Sequence, residues 1–174
     1  MHDLAIAAKI AFMRSEFRAG LFVGIAAAVA IALYCAWLWQ GERQVARQTQ
    51  KLFHAIEAKN WSAVGDFIAD DYRDQWNQDR ALVLERMRMV LGFGRKFQIN
   101  AADVDCKIDN AVGVWRGKVS IVSDDAEMGA MVKERVNSLR TPFELRWRHV
   151  SSKPSDWKLI RVSNSELEIP AGFE

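Results

Sequence analysis

Ala19 to Gly41 form a run of 23 residues without a formal charge, bounded by Arg18 and Glu42. As a helix rising about 1.5 Å per residue it reaches roughly 34 Å, against a hydrocarbon core of about 30 Å. No polar stripe interrupts it, although a helix packed on a water-facing core would show one. The pattern predicts a transmembrane helix over 19–41 behind a short tail, 1–18, in which Ile6, Ile10, Met13 and Phe17 fall at helical spacing, along a bilayer surface or as a longer helix. A cleaved secretory signal would carry a shorter apolar stretch of about 7–15 residues and a small-x-small site. This run closes instead on Ala36-Trp37-Leu38-Trp39, which suits an interfacial aromatic belt. Tyr34 is too large to precede Cys35 in a lipoprotein processing site.

From Glu42 the period turns amphipathic. Val45, Thr49, Leu52 and Ile56 share one face of a helix over 43–58 with Phe53 beside it, and Asn60 caps a second helix, 61–69, with Trp61, Val64, Phe67 and Ile68 inward. Residues 70–77 read as a polar, aromatic loop. Asp79 caps a third helix, 80–91, with Val83, Leu84, Met87, Val90 and Leu91 toward the core, and Gly92 and Gly94 end it. The period then becomes two. Apolar positions are odd in 97–101 and even in 104–108, so a bulge or a turn lies near Ala101-Ala102. Further strands follow at 111–123, 141–151 and 157–167, with 124–139 as an insertion. Helices followed by a meander of strands predict an α+β domain over 42–174, its helices packed on one face of an antiparallel sheet.

Composition narrows the classes. The chain's 24 Lys and Arg against 22 Asp and Glu exclude a histone-like polycation, and its two cysteines supply no disulfide framework. The three basic and two acidic residues before Glu42 leave the domain with a net charge of only +1. Lys9, Arg14 and Arg18 on one flank of the apolar run nearly balance Arg43, Arg47 and Lys51 on the other. The short tail stays inside more readily than the long domain, which gives a signal anchor in a bacterial inner membrane with the C-terminal domain outside the cytoplasm. Gly20, Gly24, Ala28, Ala32 and Ala36 recur every four residues, a stripe along which two copies can pair.

At Leu52–Tyr72 the helix, Asn-capped short helix and acidic-aromatic loop resemble the opening of nuclear transport factor 2 (SnoaL-like) superfamily domains. Ser155-Asp-Trp-Lys-Leu-Ile-Arg-Val162 resembles that superfamily's last strand. The likeness covers about 44–167. It implies a strongly curved sheet wrapped on a long helix, a cone-shaped domain with an internal pocket and, often, dimerisation through the sheet. Known activities of the superfamily imply an alternative function, an anchored isomerase, cyclase or hydrolase acting on a small apolar molecule. The order of tail, anchor and domain also resembles the periplasmic assembly subunit of type IV secretion systems, an envelope-complex role.

Chemistry-bearing residues are few. His2, His54 and His149 form no helical metal pair, no cofactor motif appears, and no metal or cofactor is expected. His149 alternates with Phe143, Leu145 and Trp147, so a concave inner face would make it a proton-transfer candidate in a pocket with Trp147 and, at the rim, Tyr72 and Trp76. Asp103, Asp105 and Asp109 point away from the apolar side. The opposite face groups Arg116 and Lys118 with Arg146 and Arg148, Lys158 nearby, interrupted by Glu144. It is a basic stripe for lipid headgroups, cell-wall polymer or an acidic protein, or a plainly solvated face. Nucleic acid is not an expected partner, because the aromatics lie on the other side. These features converge on a single-pass membrane protein displaying a non-catalytic domain that binds a protein or a small ligand.

Overall fold

The computed structural model describes residues 24–34, 41–92, 96–123, 128–151, 153 and 155–168. The chain divides into two units, Met1–Gln40 and Gly41–Glu174. In the first, helix α1 (24–34) is exposed along its whole described length, with Ile31 and Leu33 63% and 67% accessible. Among the described residues no helix is long and apolar enough to cross a membrane. The tail 1–18, the remaining parts of the expected span and the stripe residues Gly20 and Ala36 lie outside the described residues.

The second unit runs α2 (Gly41–Glu57), α3 (Trp61–Phe67), α4 (Arg80–Leu91), β1 (Phe97–Asp109), β2 (Val112–Ser123), α5 (Met128–Asn137), β3 (Phe143–His149) and β4 (Trp157–Ser163). The strands form one antiparallel sheet in the order β1-β2-β3-β4. The stripe on α2 buries Val45, Thr49, Leu52 and Ile56 as expected, and also Gln44 and Gln48. Lys59, at φ 54°, ends the helix: Asn60 N–H donates to Ala55 O and Lys59 N–H to Ile56 O, a Schellman closure. Asn60 Oδ1 then accepts the Ala63 N–H at 3.1 Å, so the residue that stops α2 is followed directly by the one that caps α3. Asp79 caps α4 through the Leu82 N–H at 2.9 Å.

The phase slip is a bulge within one long strand: pairing of β1 with β2 shifts between Ala102 and Asp105, and Asp103 has φ 53°. The last strand stops at Ser163, four residues short of its expected end, because the chain turns there around the buried Asn164.

The sheet's free edges are each covered by a different device. Helix α3 stops at Phe67, two residues short of its expected end, and Ile68, Ala69 and the start of the expected loop, to Gln75, run along β4 instead. Ile68 makes a parallel bridge to Leu159, and the N–H groups of Ala69, Arg73 and Gln75 donate to Leu159, Ile160 and Val162 carbonyls at 2.9, 3.1 and 3.2 Å. β2 outruns β3, its pairing ending at Gly117 with Phe143, and Asn137 of α5 closes the overhang: its Oδ1 accepts the Ile121 N–H and its Nδ2 donates to Ile121 O. The insertion thus acts as an edge cover. On β1, Glu57 Oε1 accepts the outward N–H of Ile99 at 2.7 Å. Unpaired strand edges are templates for pairing with other chains, and each of these bonds satisfies a group that such an edge would otherwise expose.

The core lies between the helices and the inner face of the sheet. Trp115, Trp147, Trp157 and Tyr72 are each at most 7% accessible and pack with Val45, Leu52, Val64, Leu145 and Leu159. Gly113 and Gly117 stand where α2 and the Trp115 ring press against β2. A methyl on Gly113 would meet Val45 Cγ2 at 2.3 Å, and one on Gly117 would meet the Trp115 ring at 2.6 Å. Among the described residues these aromatic side chains fill the middle of the interior.

Candidate functional site

Among the described residues, concave surface lies at the flank where α2 meets β1, beside two further clefts, one along 70–84 and one around Thr141 and Asn164. The cleft between α2 and β1 measures about 430 Å³. Its floor is aromatic: Phe53, half-buried beside the apolar stripe of α2, meets the buried Trp115 edge-on, with ring centroids 5.6 Å apart and planes at 86°. Its rim is polar and mostly neutral, from Gln50 and His54 on α2 and from Gln98 and Asn100 on β1. Glu57 braces both walls, since one carboxylate oxygen holds the Ile99 N–H and the other lies 2.9 Å from His54 Nδ1. The Thr49 hydroxyl, also lining the cleft, is turned back to Val45 O at 3.0 Å.

Such a rim offers amide donors and acceptors over an aromatic floor, chemistry that matches a neutral polar molecule or a peptide backbone. Among the described residues no group of three His, Cys, Asp or Glu side chains could hold a metal ion. His54 and Glu57 were legible as an i, i+3 pair on a helix. The cleft itself was not, because the β1 wall is forty residues away in sequence.

The expected pocket residues do not share a cavity. Tyr72 and Trp147 are core members, 2% and 0% accessible, and burial pushes the Tyr72 phenol well above its ordinary range. The Trp147 indole meets Phe67 edge-on at 6.4 Å, and its N–H is enclosed without an acceptor among the described residues. Trp76 instead ties down the chain's last described segment, its indole N–H donating to Leu167 O at 3.0 Å. His149 ends β3 with its ring 4.8 Å from that of Trp157 and its Nε2 2.8 Å from Lys153 O. It is a strand-end histidine on backbone and aromatic neighbours. None of the clefts described is lined by Trp76, Trp147 or His149.

The basic stripe does assemble, with acids threaded through it. Glu144 does not interrupt Arg116 and Arg146 but bridges them, at 2.7 Å to each. Lys118 pairs with Asp103 at 3.0 Å, and Arg148 grips Asp71 with two bonds, of 2.7 and 2.9 Å. Partial burial works to raise the Glu144 carboxyl, and the hydrogen bonds from Arg146 and Arg116 outweigh it and hold the pKa low. The Arg148 hydrogen bonds likewise lower that of Asp71.

A second polar cluster went unread in the sequence. Asn164, 3% accessible, accepts the Glu166 and Leu167 N–H groups and donates to Thr141 O, all at 2.9 Å. Its own backbone is clasped by the Gln75 side chain, which donates to Asn164 O at 2.6 Å and accepts Asn164 N–H at 2.9 Å. Asp74 Oδ1 organises the approach to this latch by accepting the N–H groups of Trp76 and Gln78.

No protein-family model matches the chain, and no curated protein matches its sequence. Solved structures do match. A Bdellovibrio bacteriovorus protein, Bd1075, superposes with a TM-score of 0.54 at 9% identity over 70% of this chain, which spans 38% of that protein's length. A Pseudomonas putida NTF2-like protein of unknown function gives 0.52 at 12% identity, over 70% of this chain and 82% of that one. Aln2 from a Streptomyces species gives 0.53 at 7% identity, covering 68% and 85%. At such identities the likeness concerns architecture alone. The unit from Gly41 onward has the α+β fold of the NTF2-like proteins, helices laid on a four-stranded antiparallel sheet.

Proposed function

We propose that this chain is a membrane-anchored binding module, in which residues 19–41 hold an NTF2-like domain at a bilayer and the cleft between α2 and β1 receives a neutral polar ligand or a peptide segment. The observation that carries the reading is the division of labour among the aromatic residues: Trp115, Trp147, Trp157 and Tyr72 fill the inner space, so recognition falls to the cleft over Phe53 and Trp115. Anchoring is supported by the charge-free run and by α1, whose apolar side chains are bare to their surroundings over every described residue. Such a surface is favourable in hydrocarbon and costly in water. Tethering confines the domain to two dimensions and raises its effective concentration toward partners on the same membrane.

An enzymatic reading keeps one observation in its favour, the His54–Glu57 pair at the rim of the cleft, a base with an orienting carboxylate at 2.9 Å. Two measurements test the proposal. The full chain should stay in the membrane pellet through alkaline carbonate and leave it only with detergent. Release by carbonate alone refutes anchoring. In 15N-labelled full chain in detergent micelles, titrating neutral peptides and sugars should move the amide signals of Gln98, Asn100 and Thr49. Shifts confined to the indole signals of Trp147 and Trp157 would refute the cleft. Turnover of a bound compound that is lost in His54→Ala would replace the binding module by the enzyme.

A further inference from the structure

The outer face of the sheet sets like charges against each other in register. Across β3 and β4, Arg146 is the direct partner of Arg161, and Arg148 that of Lys158. Like charges placed opposite on one face repel, and a carboxylate at 158 or 161 would instead have completed a cross-strand ion pair. β2 adds Arg116 and Lys118, so the outward positions of β2, β3 and β4 carry six cations and one acid, Glu144. The patch has a boundary: β1, beyond β2, contributes Asp105 and Asp109 against Lys107, and Asp103 and Asp71 reach Lys118 and Arg148 from outside the three strands. Even so, the four ion-paired cations remain 40–54% accessible, and Arg161 is exposed. The local rule of alternating signs is broken where β3 and β4 meet, which is the kind of conflict that a binding surface explains.

The occupant follows from what the face lacks. It has no aromatic platform, since the tryptophans of these strands point inward, so bases have nothing to stack on. A second copy laid on it face to face would oppose cations to cations. What it presents is a spread of partly exposed cations: four are paired with carboxylates that leave part of each cation open, Lys158 donates to Asp66 O, and Arg161 is exposed, an array that suits diffuse negative charge. In the sequence the charge-free run ends at Gly41, the first residue of α2, so the proposed anchor and the domain are neighbours along the chain. Resting on that anchor reading, we infer that the outer face of β3 and β4, with Arg116 and Lys118, docks the domain onto anionic phospholipid headgroups of the bilayer surface beside its anchor.

The test reconstitutes the full chain in neutral phosphatidylcholine nanodiscs and sediments it with vesicles of phosphatidylcholine alone or mixed with phosphatidylglycerol. Cosedimentation should require phosphatidylglycerol and should fade between about 0.1 M and about 1 M salt, as the screening length falls from roughly 10 to 3 Å. Arg146→Gln combined with Arg161→Gln should weaken it roughly 25-fold, at about fivefold per cation removed. Because Arg146→Gln gives up its 2.7 Å pair with Glu144 along with the repulsion, an unchanged circular dichroism spectrum and a melting transition well above the assay temperature show that lost binding is not lost folding. Absence of phosphatidylglycerol-dependent cosedimentation, or full retention of it in the double variant, overturns the inference. Capture of a poly-glutamate peptide without recruitment to vesicles assigns the face to an acidic protein and overturns it equally. A chain that stays dissolved without detergent and never enters nanodiscs removes the anchor. Its direct sedimentation with the same vesicles then still decides the face.

Discussion

Gly113→Ala probes the tightest junction between helix and sheet. The added methyl would sit 2.3 Å from Val45 Cγ2, with Ile108 Cδ1 at 3.1 Å and Trp157 Cζ3 at 3.2 Å closing the other sides. Carbon atoms pack comfortably at about 3.5–4.0 Å, so more than about 1 Å must be found. Val45 cannot supply it by rotation, since a β-branched side chain in a helix keeps one χ1 well, and it is fully buried. α2 must therefore lift from the sheet or β2 must sink, at about 1–3 kcal/mol for overpacking of this kind. For a domain of this size that corresponds to a melting temperature lower by roughly 4–12 °C. Val45→Ala alone removes two buried methyl groups, at about 2 kcal/mol. Combined with Gly113→Ala it returns the missing volume from the opposite wall, so the double variant should be more stable than the sum of the singles by at least about 1 kcal/mol. Urea titrations of the four proteins in detergent, followed by circular dichroism, measure the cycle, and an unchanged m value shows that the unfolded state is not the cause. A single variant melting within about 1 °C of the parent, or strict additivity in the cycle, would refute the close-approach argument.

Asn164→Ala strips the latch from the Glu166 and Leu167 N–H groups and the Thr141 carbonyl, and should cost about 2 kcal/mol while speeding proteolysis beyond Ser163. An unchanged cleavage rate would show that the C-terminal segment is held elsewhere. Asp74 and Glu144 should bend the acid side of the stability curve in opposite directions. Burial raises the Asp74 pKa above its ordinary 3.8, so its contribution is present when protonated and is lost as the pH climbs through the folded value. The Glu144 pKa lies below 4.5, so its contribution is present above that value and is lost as the pH falls through the folded one. Asp74→Asn keeps the Oδ1 acceptor for Trp76 and Gln78 and should gain on the parent from about pH 3 to about pH 6, whereas Glu144→Gln should lose ground over the same range. Melting temperatures across that interval read both, and a uniform drop for Asp74→Asn at every pH contradicts the burial argument.

Along the domain, the sequence determined whatever depends on neighbours a few residues away. The α2 stripe, the Asn60 and Asp79 caps, the strand alternation and the irregularity at Ala102 are all local periodicities or local hydrogen bonds, and all are found where the pattern puts them. Residues 70–75 were legible only as polar and aromatic, and Ile68 and Ala69 only as the end of a helix, because the carbonyls this segment satisfies belong to a strand some ninety residues later. A similar distance hid Gln75 from Asn164, and a separation of 42 residues hid Glu57 from Ile99. His149 shows the limit from the other side: alternation correctly put it in line with Leu145 and Trp147, yet its place at the end of β3, against Trp157, carries it past the core. How the interior is filled was decided by four large aromatic side chains, three from strands and Tyr72 from the segment along β4, converging in one core, a question of volume in three dimensions. Periodicity reports which face a side chain takes; only the folded chain reports what already stands there, and in this domain that is tryptophan and tyrosine, with a cleft at the flank of α2.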